Sequence, residues 1–240
     1  EMCIRDRINP DILILSDDNA VKYLYLPYFK NTDIPMVFCG INLSASQYNL
    51  PSEKVTGMIE ILPLEDALHT MSPYFPSMKN LLVITENTTT SRKEKELLEP
   101  LFIRLDINAT YEMVEDYEHW KSAFREGNMK YDMIYVHTNG AIKDWDKEDA
   151  ISFVNQHIKV PLITCEDFMM PYVVFGQTKV ASEHGFWAAN TAKKILEGKS
   201  PADIPVITNQ LSTTWINAGL ARKIDFRADT VLLSKAIMIN

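Results

Sequence analysis

The side chains best suited to covalent chemistry are two cysteines and one histidine. Cys39 and Cys165 each close a short apolar run, and His137 follows a third run. All three are therefore expected at strand ends, where a thiolate with a histidine base could attack an ester or an amide. A cysteine at the end of an apolar strand is more commonly buried and unreactive, and no oxyanion-hole motif accompanies these residues. A cysteine-dependent hydrolase is accordingly the weaker alternative, and we predict no catalytic residues.

Motifs for cofactors and metals are missing from the sequence. The 8 glycines form no G-x-G pair and no G-x-x-x-x-G-K loop, which excludes the common dinucleotide and P-loop fingerprints. Neither C-x-x-C nor a Cys/His cluster with zinc spacing occurs. Glu183, His184 and Asp225 are conceivable metal ligands, but a solvated helix face has the same spacing. We predict no cofactor and no metal.

The charge balance argues against nucleic acid as a partner. Lys plus Arg number 24 and Asp plus Glu number 32, which gives a net charge of −8, and no basic run is longer than the pair Lys193-Lys194. No apolar stretch approaches the roughly 18 residues of a membrane span. Residues 1–7 (EMCIRDR) have no apolar core for a signal peptide and fit nothing that follows. We interpret them as a non-native leader and the chain as a fragment.

Apolar runs of strand length alternate with amphipathic stretches of helix length. Strands are predicted at residues 12–15, 36–39, 55–58, 81–84, 109–114, 133–136, 162–164 and 206–208, and helices at 19–26, 63–71, 90–105, 117–126, 146–157 and 182–196. Uniformly apolar strands separated by single helices indicate parallel sheets covered on both faces, so the class is α/β. The pattern restarts between residues 61 and 80, which predicts two sheets, and the late helix and strand must return to these sheets.

In open parallel sheets, ligands bind beyond the carboxyl ends of the strands. The segments that follow the predicted strands are rich in small and polar residues, which is typical of a site for a polar small molecule. Their acids are Asp17, Asp18, Glu86, Asp144, Glu166 and Asp167, and their bases are only Arg92 and Lys143. Because arginines normally bind phosphates and dicarboxylates, we predict a ligand with an amine or a neutral polar group, such as a zwitterion whose carboxylate lies on a helix N-terminus. Each segment taken singly is equally well explained as a helix cap or a turn.

Several longer runs of the sequence carry a family resemblance. In the first half these are DILILSDDNAVKYLYLPYF, IPMVFCGIN and VTGMIE, and in the second half LLVITENTTTSRKE, VHTNGAIKDWD and EDFMMPYVVFGQTKVASEHGFWAANTAKKILEGKSPADIPVIT. Over about residues 8–222 the chain resembles the ABC-transporter substrate-binding proteins of the uncharacterised, tryptophan-transporter-related type.

The resemblance implies a periplasmic-binding-protein-like class I fold, in which two doubly wound parallel-sheet lobes are joined by crossovers near residues 59–63, 176–181 and 203–207. Residues 8–61 and 180–204 would form lobe 1, and residues 62–179 and 205–235 would form lobe 2. The resemblance also implies that the first strand and helices of lobe 1 precede Ile8, so that lobe 1 is incomplete here.

The resemblance further implies a solute-binding protein that closes two lobes on a small polar, amino-acid-like ligand and delivers it to an ABC permease in the membrane. It would act outside the cytoplasm as a monomer, either free or lipid-anchored. An extracytoplasmic sensor module built from the same two lobes is the alternative. The residues expected to line the ligand site are Asp17, Asp18, Asn19, Cys39, Gly40 and Asn42 in lobe 1, and Asn87, Thr88, His137, Asn139, Glu166, Asp167 and Tyr172 in lobe 2.

Overall fold

The computed structural model describes residues 9–240, which divide into two compact units. The first unit contains residues 9–61 and Val180–Leu211, and the second contains Leu62–Lys179 and Ser212–Asn240. The chain therefore passes between the units three times. The predicted leader, residues 1–7, lies outside the described residues.

The sheet of the first unit has four parallel strands in the order β1-β2-β3-β9. These strands are β1 (Leu13–Ser16), β2 (Met36–Asn42), β3 (Val55–Glu60) and β9 (Ile207–Thr208). Helical segments follow β1 as α1 (Asp18–Ala20), a π-helical turn (Val21–Tyr25) and α2 (Leu26–Tyr28), and the long helix α7 (Ala181–Leu196) returns to this unit.

Both faces of this first sheet are covered, which explains why β2 is almost continuously apolar. One face packs in a core with Val21, Tyr25 and Phe29. On the other face, Val37 and Cys39 of β2 pack against α7. Uniformly apolar strands in the sequence thus correctly predicted a sheet between two helical layers.

The sheet of the second unit has seven strands in the order β11-β10-β8-β7-β6-β4-β5. They are β4 (Asn80–Glu86), β5 (Asn108–Val114), β6 (Met133–Val136), β7 (Leu162–Thr164), β8 (Phe175–Lys179), β10 (Ser212–Asn217) and β11 (Ala236–Ile239). All neighbours are parallel except β8 and β10, which are antiparallel.

Six helices accompany this second sheet. They are α3 (Leu64–Met71), α4 (Thr89–Arg104), α5 (Tyr117–Lys130), α6 (Lys147–His157), α8 (Ala218–Lys223) and α9 (Thr230–Lys235), and a 3-10 helix (Asp167–Tyr172) follows β7. The helices after β4, β5 and β6 begin at side-chain caps, namely Thr88, Asp116 and Asp146, each of which accepts a backbone N–H three residues on. Across residues 9–240, no helix has the length and apolar character needed to cross a bilayer.

The α/β class with parallel sheets is confirmed, and the structure corrects one boundary. The sequence assigned residues 205–211 to lobe 2, whereas they belong to the first unit because β9 pairs with Met58 and Ile59 of β3. The second unit also extends beyond residue 235, the predicted end of lobe 2, since residues 236–239 form β11. The single late strand therefore completes the first sheet, and β10 and β11 extend the second.

Candidate functional site

Asp17 begins the polar segment at the carboxyl end of β1 in the first unit. Its backbone has φ 78° and ψ 153°, a conformation that costs a non-glycine residue about 1–3 kcal/mol. Two hydrogen bonds hold it there: its N–H donates to Cys39 O at 3.0 Å, and its Oδ1 accepts from Asn19 N at 2.7 Å. The predicted site residues Asp17, Asn19 and Cys39 are therefore neighbours, and Asp17 is exposed.

Asp18 organises the segment that follows β2. Its Oδ2 accepts from both the backbone N (3.0 Å) and the side-chain Nδ2 (2.9 Å) of Asn42. Its Oδ1 accepts from Tyr48 Oη at 2.6 Å and from Gln47 Nε2 at 3.2 Å. Burial, reinforced by the Asp18 carboxylate, raises the pKa of the Tyr48 phenol well above its ordinary value. Asp18 thus joins the end of β1 to the end of β2 with two hydrogen bonds and to the following segment with two more.

We call the candidate site residues of the first unit the first wall and those of the second unit the second wall. Gly40, His184 and Glu60 form a third part of the first wall. Gly40 has φ +67° and donates its N–H to His184 Nδ1 at 3.3 Å. An imidazole nitrogen that accepts a hydrogen bond carries no proton, so this contact assigns the proton of neutral His184 to Nε2. His184 Nε2 in turn lies 3.9 Å from Glu60 Oε2. Sequence reasoning missed Glu60, because β3 ends two residues later than predicted, and it considered His184 only as a metal ligand.

In the second unit, the register of β4 and β6 places Thr85 beside His137. Thr85 Oγ1 lies 3.1 Å from His137 Nδ1 and also donates to Ser91 Oγ at 3.1 Å, and Ser91 Oγ contacts Thr88 Oγ1 at 2.9 Å. Glu94 of α4 lies 3.5 Å from the same imidazole nitrogen, and both side chains are buried. Burial, together with the charge of Lys179, lowers the pKa of His137 to about 4. His137 is therefore a neutral imidazole at physiological pH, inside a hydroxyl network that includes Thr88.

Glu166 directly follows the thiol at the end of β7. Its carboxylate is buried and lies 3.0 Å from Lys179 Nζ at the end of β8. Sequence reasoning counted Glu166 as an uncompensated acid because it did not treat the end of β8 as part of the site. The predicted excess of acids is therefore reduced by one ion pair in this wall.

Both cysteines are buried and held as thiols. Burial raises the pKa of Cys39, an effect that the Glu60 charge adds to and a hydrogen bond with Ser16 opposes. Burial likewise raises the pKa of Cys165 far above its usual range. A protonated thiol is a poor nucleophile, so the raised pKa values of both cysteines argue against the hydrolase alternative.

The remaining predicted residues of the second wall have different surroundings. Tyr172 is buried in an aromatic cluster, and its Oη accepts from Trp145 Nε1 at 3.3 Å. Asn87 contacts Glu115 (3.0 Å) and Arg92. The side chain of Asp167 is exposed at the start of the 3-10 helix, and the carbonyl of Asn139 accepts from Ile142 N at 3.2 Å.

The structure therefore unites the six predicted residues of the first wall and links His137 to Thr88 in the second wall. Asn87 and Tyr172, in contrast, belong to separate contacts. That these residues bind a ligand stays a prediction.

Comparison with known proteins gives a family match over most of the chain. A family model described as ABC transporter substrate binding protein matches residues 23–239. No curated protein matches the sequence.

Several solved structures share the fold at low sequence identity. A substrate-binding protein with adhesive properties from Clostridium difficile, in a ligand-free, open structure, aligns with TM-score 0.76 and 15% identity over 99% of this chain and 80% of its own. A conserved domain protein from Vibrio cholerae aligns with TM-score 0.72 and 18% identity, over 100% and 82% of the two chains. An ABC domain from Streptococcus pneumoniae in complex with L-Trp aligns with TM-score 0.71 and 18% identity, over 96% and 79%.

Proposed function

Because this chain belongs to the ABC transporter substrate-binding protein family, we propose that it captures a small polar solute for an ABC importer. The observation that carries the proposal is the family match over residues 23–239, which includes parts of both units. The protein would act outside the cytoplasm as a monomer, free or lipid-anchored, and its partner would be a membrane permease.

We propose an amino-acid-like zwitterion as the ligand. The exposed carboxylate of Asp17 supports recognition of an ammonium group in the first unit. In the second unit, Lys179 lies beside the buried carboxylate of Glu166 and is the cation that would attract the ligand carboxylate. The exposed carboxylate of Asp167 would attract the ammonium group. The complex of a similar structure with L-Trp supports the same class of ligand.

Capture would work by closure rather than by chemistry. A ligand that contacts both units only when they close has a higher affinity for the closed form, and this difference in affinity shifts the population towards closure. The raised pKa values of Cys39 and Cys165 support a role without covalent catalysis.

Isothermal titration calorimetry with each of the twenty amino acids tests the proposal, with D-tagatose, citrate and inorganic phosphate as comparison ligands. We expect a dissociation constant in the micromolar range or below for at least one amino acid. Asp17→Asn removes the charge but keeps an acceptor for Asn19 N and tolerates the positive φ, so it should weaken that binding at least tenfold with little change in melting temperature.

Asp33→Asn is the matched control for Asp17→Asn. Asp33 is a carboxylate of the same unit that pairs with Lys54 at 2.6 Å, so its loss should leave the affinity unchanged. Binding of polyanions alone, or of none of these solutes, would refute the proposed ligand class.

A further inference from the structure

The three passages of the chain between the units are tied to one another within the first unit. In the first passage the chain leaves this unit after Ile61, in the second it re-enters the unit at Val180, and in the third it leaves again after Leu211. Two side chains connect these passages, and neither belongs to the candidate ligand site described above. They are Asn209, which follows β9, and Glu183, in the first turn of α7.

Asn209 connects the third passage to the first by side-chain hydrogen bonds. Its Oδ1 accepts from Ile61 N at 2.7 Å, and its Nδ2 donates to Ile61 O at 3.1 Å. The amide side chain thus satisfies both backbone groups of one residue, at the last position before the chain enters the second unit. Its own backbone N donates to Ile59 O at 3.3 Å, which continues the pairing of β9 with β3.

Glu183 fastens the third passage to the second. Its Oε1 accepts from Gln210 N at 2.9 Å, and its Oε2 accepts from Leu211 N at 2.8 Å. Both carboxylate oxygens are therefore bound to consecutive backbone donors at the end of the first unit. Because the acceptor is charged, these hydrogen bonds belong to the stronger class.

The second unit holds two of the passages together at its own edge. Lys179 and Ser212 are cross-strand partners in the antiparallel β8–β10 ladder, and Gln177 Nε2 donates to Ser212 Oγ at 2.7 Å. Between these two sets of contacts lie residues 180–182 in the second passage and the Leu211–Ser212 peptide in the third. In the first passage, Leu62 and Pro63 separate Ile61 from α3.

We propose that Asn209 and Glu183 are positioning residues, whose hydrogen bonds hold the three passages together on the first unit as a single connector. Closure would then bend the chain at residues 61–63, 179–180 and 211–212, and the three passages would move together. This inference rests on the proposed function, because it assumes that the units move relative to each other.

Hydrogen exchange tests the connector without any ligand. In the unsubstituted protein, the amides of Ile61 in the first passage, Glu183 in the second, and Gln210 and Leu211 in the third should exchange slowly and to a similar degree. Asn209→Ala, or Glu183→Gln, should accelerate exchange about tenfold or more in all three passages, including the passage whose own bond is unchanged. Acceleration confined to the residue that lost its partner would overturn the proposal.

Two variants in the second unit provide matched controls for this exchange experiment. Asp132 accepts from two consecutive backbone N–H groups with one carboxylate oxygen, and Asn128 joins Phe124 O to Lys159 N. Asp132→Asn and Asn128→Ala therefore remove the same kinds of bond away from the passages. They should leave exchange at residues 58–64, 179–184 and 207–212 unchanged.

Single-molecule energy transfer tests the consequence for motion. With Cys3 replaced by serine, dyes can be attached through Asn31→Cys in the first unit and Met129→Cys in the second, because both positions are exposed and the native Cys39 and Cys165 are buried. In buffer alone, Glu183→Gln should broaden the transfer distribution relative to the otherwise unsubstituted labelled protein and to Asp132→Asn. An unchanged distribution would overturn the positioning role. If no amino acid binds but hydrogen exchange still accelerates in all three passages together, only the proposed ligand class is refuted.

Discussion

Lowering the pH should destabilise the second unit through His137. Burial and the Lys179 charge depress the pKa of this histidine to about 4 in the folded protein, against about 6.5 in an unfolded chain. A depressed folded pKa means that the unfolded state binds the proton more tightly. The stabilising contribution is therefore complete above pH 6.5 and is lost as the pH falls towards 4.

The size of this effect follows from the two pKa values. Between pH 7.5 and pH 4.5 the free energy of unfolding should fall by roughly 2.5 kcal/mol through His137 alone, with a limit of about 3.4 kcal/mol at lower pH. The carboxylate of Glu94 at 3.5 Å would favour the protonated imidazole, but the net depression of the pKa shows that desolvation outweighs this attraction. A loss of this size is a large fraction of the stability of a typical domain.

Urea unfolding at a series of pH values measures this loss. Tryptophan fluorescence reports mainly on the second unit, because Trp120, Trp145 and Trp215 belong to it. The unsubstituted protein should lose roughly 2.5 kcal/mol more than His137→Gln over this range, since glutamine does not titrate. His119→Gln, which removes an exposed histidine, is the control and should behave like the unsubstituted protein. Parallel curves for the unsubstituted protein and His137→Gln would refute the assignment of the proton-linked loss to this residue.

Three further predictions concern the candidate walls. Gly40→Ala should reduce the free energy of unfolding by about 1–2 kcal/mol in denaturant titrations, because φ +67° strains any side chain even though the nearest atom would lie 3.6 Å away. Gly185→Ala in α7, where nothing lies within 4 Å of the added carbon, should instead raise the free energy of unfolding by about 0.5–1 kcal/mol. Asp18→Asn replaces one acceptor oxygen by a donor and should cost about 1–3 kcal/mol in the same assay, and an unchanged stability would contradict its structural role. Asp167→Ala and Asn139→Ala should weaken ligand binding in calorimetry without lowering the melting temperature, and an equal loss of stability would indicate capping or turn roles instead.

The sequence predicted the strands that are buried on both faces, and it missed strands whose burial depends on a partner. Strands β2, β3, β4, β6 and β7 are largely apolar and almost wholly buried. The edge strands β1 and β5 were also predicted, although they are only partly buried. In contrast, β10 (STTWIN) is mostly polar, and it is a strand because β8 pairs with it in antiparallel register. The exposed apolar residues of β11 likewise gave no periodic signal before its pairing with β10 was known.

The candidate site was predictable where it follows directly from a strand end, and not where it depends on packing between distant segments. Asp17, Asp18 and Gly40 were identified because they follow predicted strands. His184 reaches Gly40 from a helix that is 144 positions away in sequence, and Lys179 reaches Glu166 from a neighbouring strand. Such pairs depend on sheet order and on how helices cover the sheet, neither of which a local pattern contains.

The hydrogen bonds divide the predicted site residues into two groups with different roles. Asp18 uses both carboxylate oxygens for Asn42, Gln47 and Tyr48, and His137 uses Nδ1 with Thr85. Such residues fix the shape of each wall before a ligand arrives, which lowers the cost of ordering the site on binding. We expect the contacts to a ligand to come from exposed groups beside them, such as Asp167 beside the buried Glu166. A substitution in the first group should therefore change stability and affinity together, whereas one in the second group should change affinity alone.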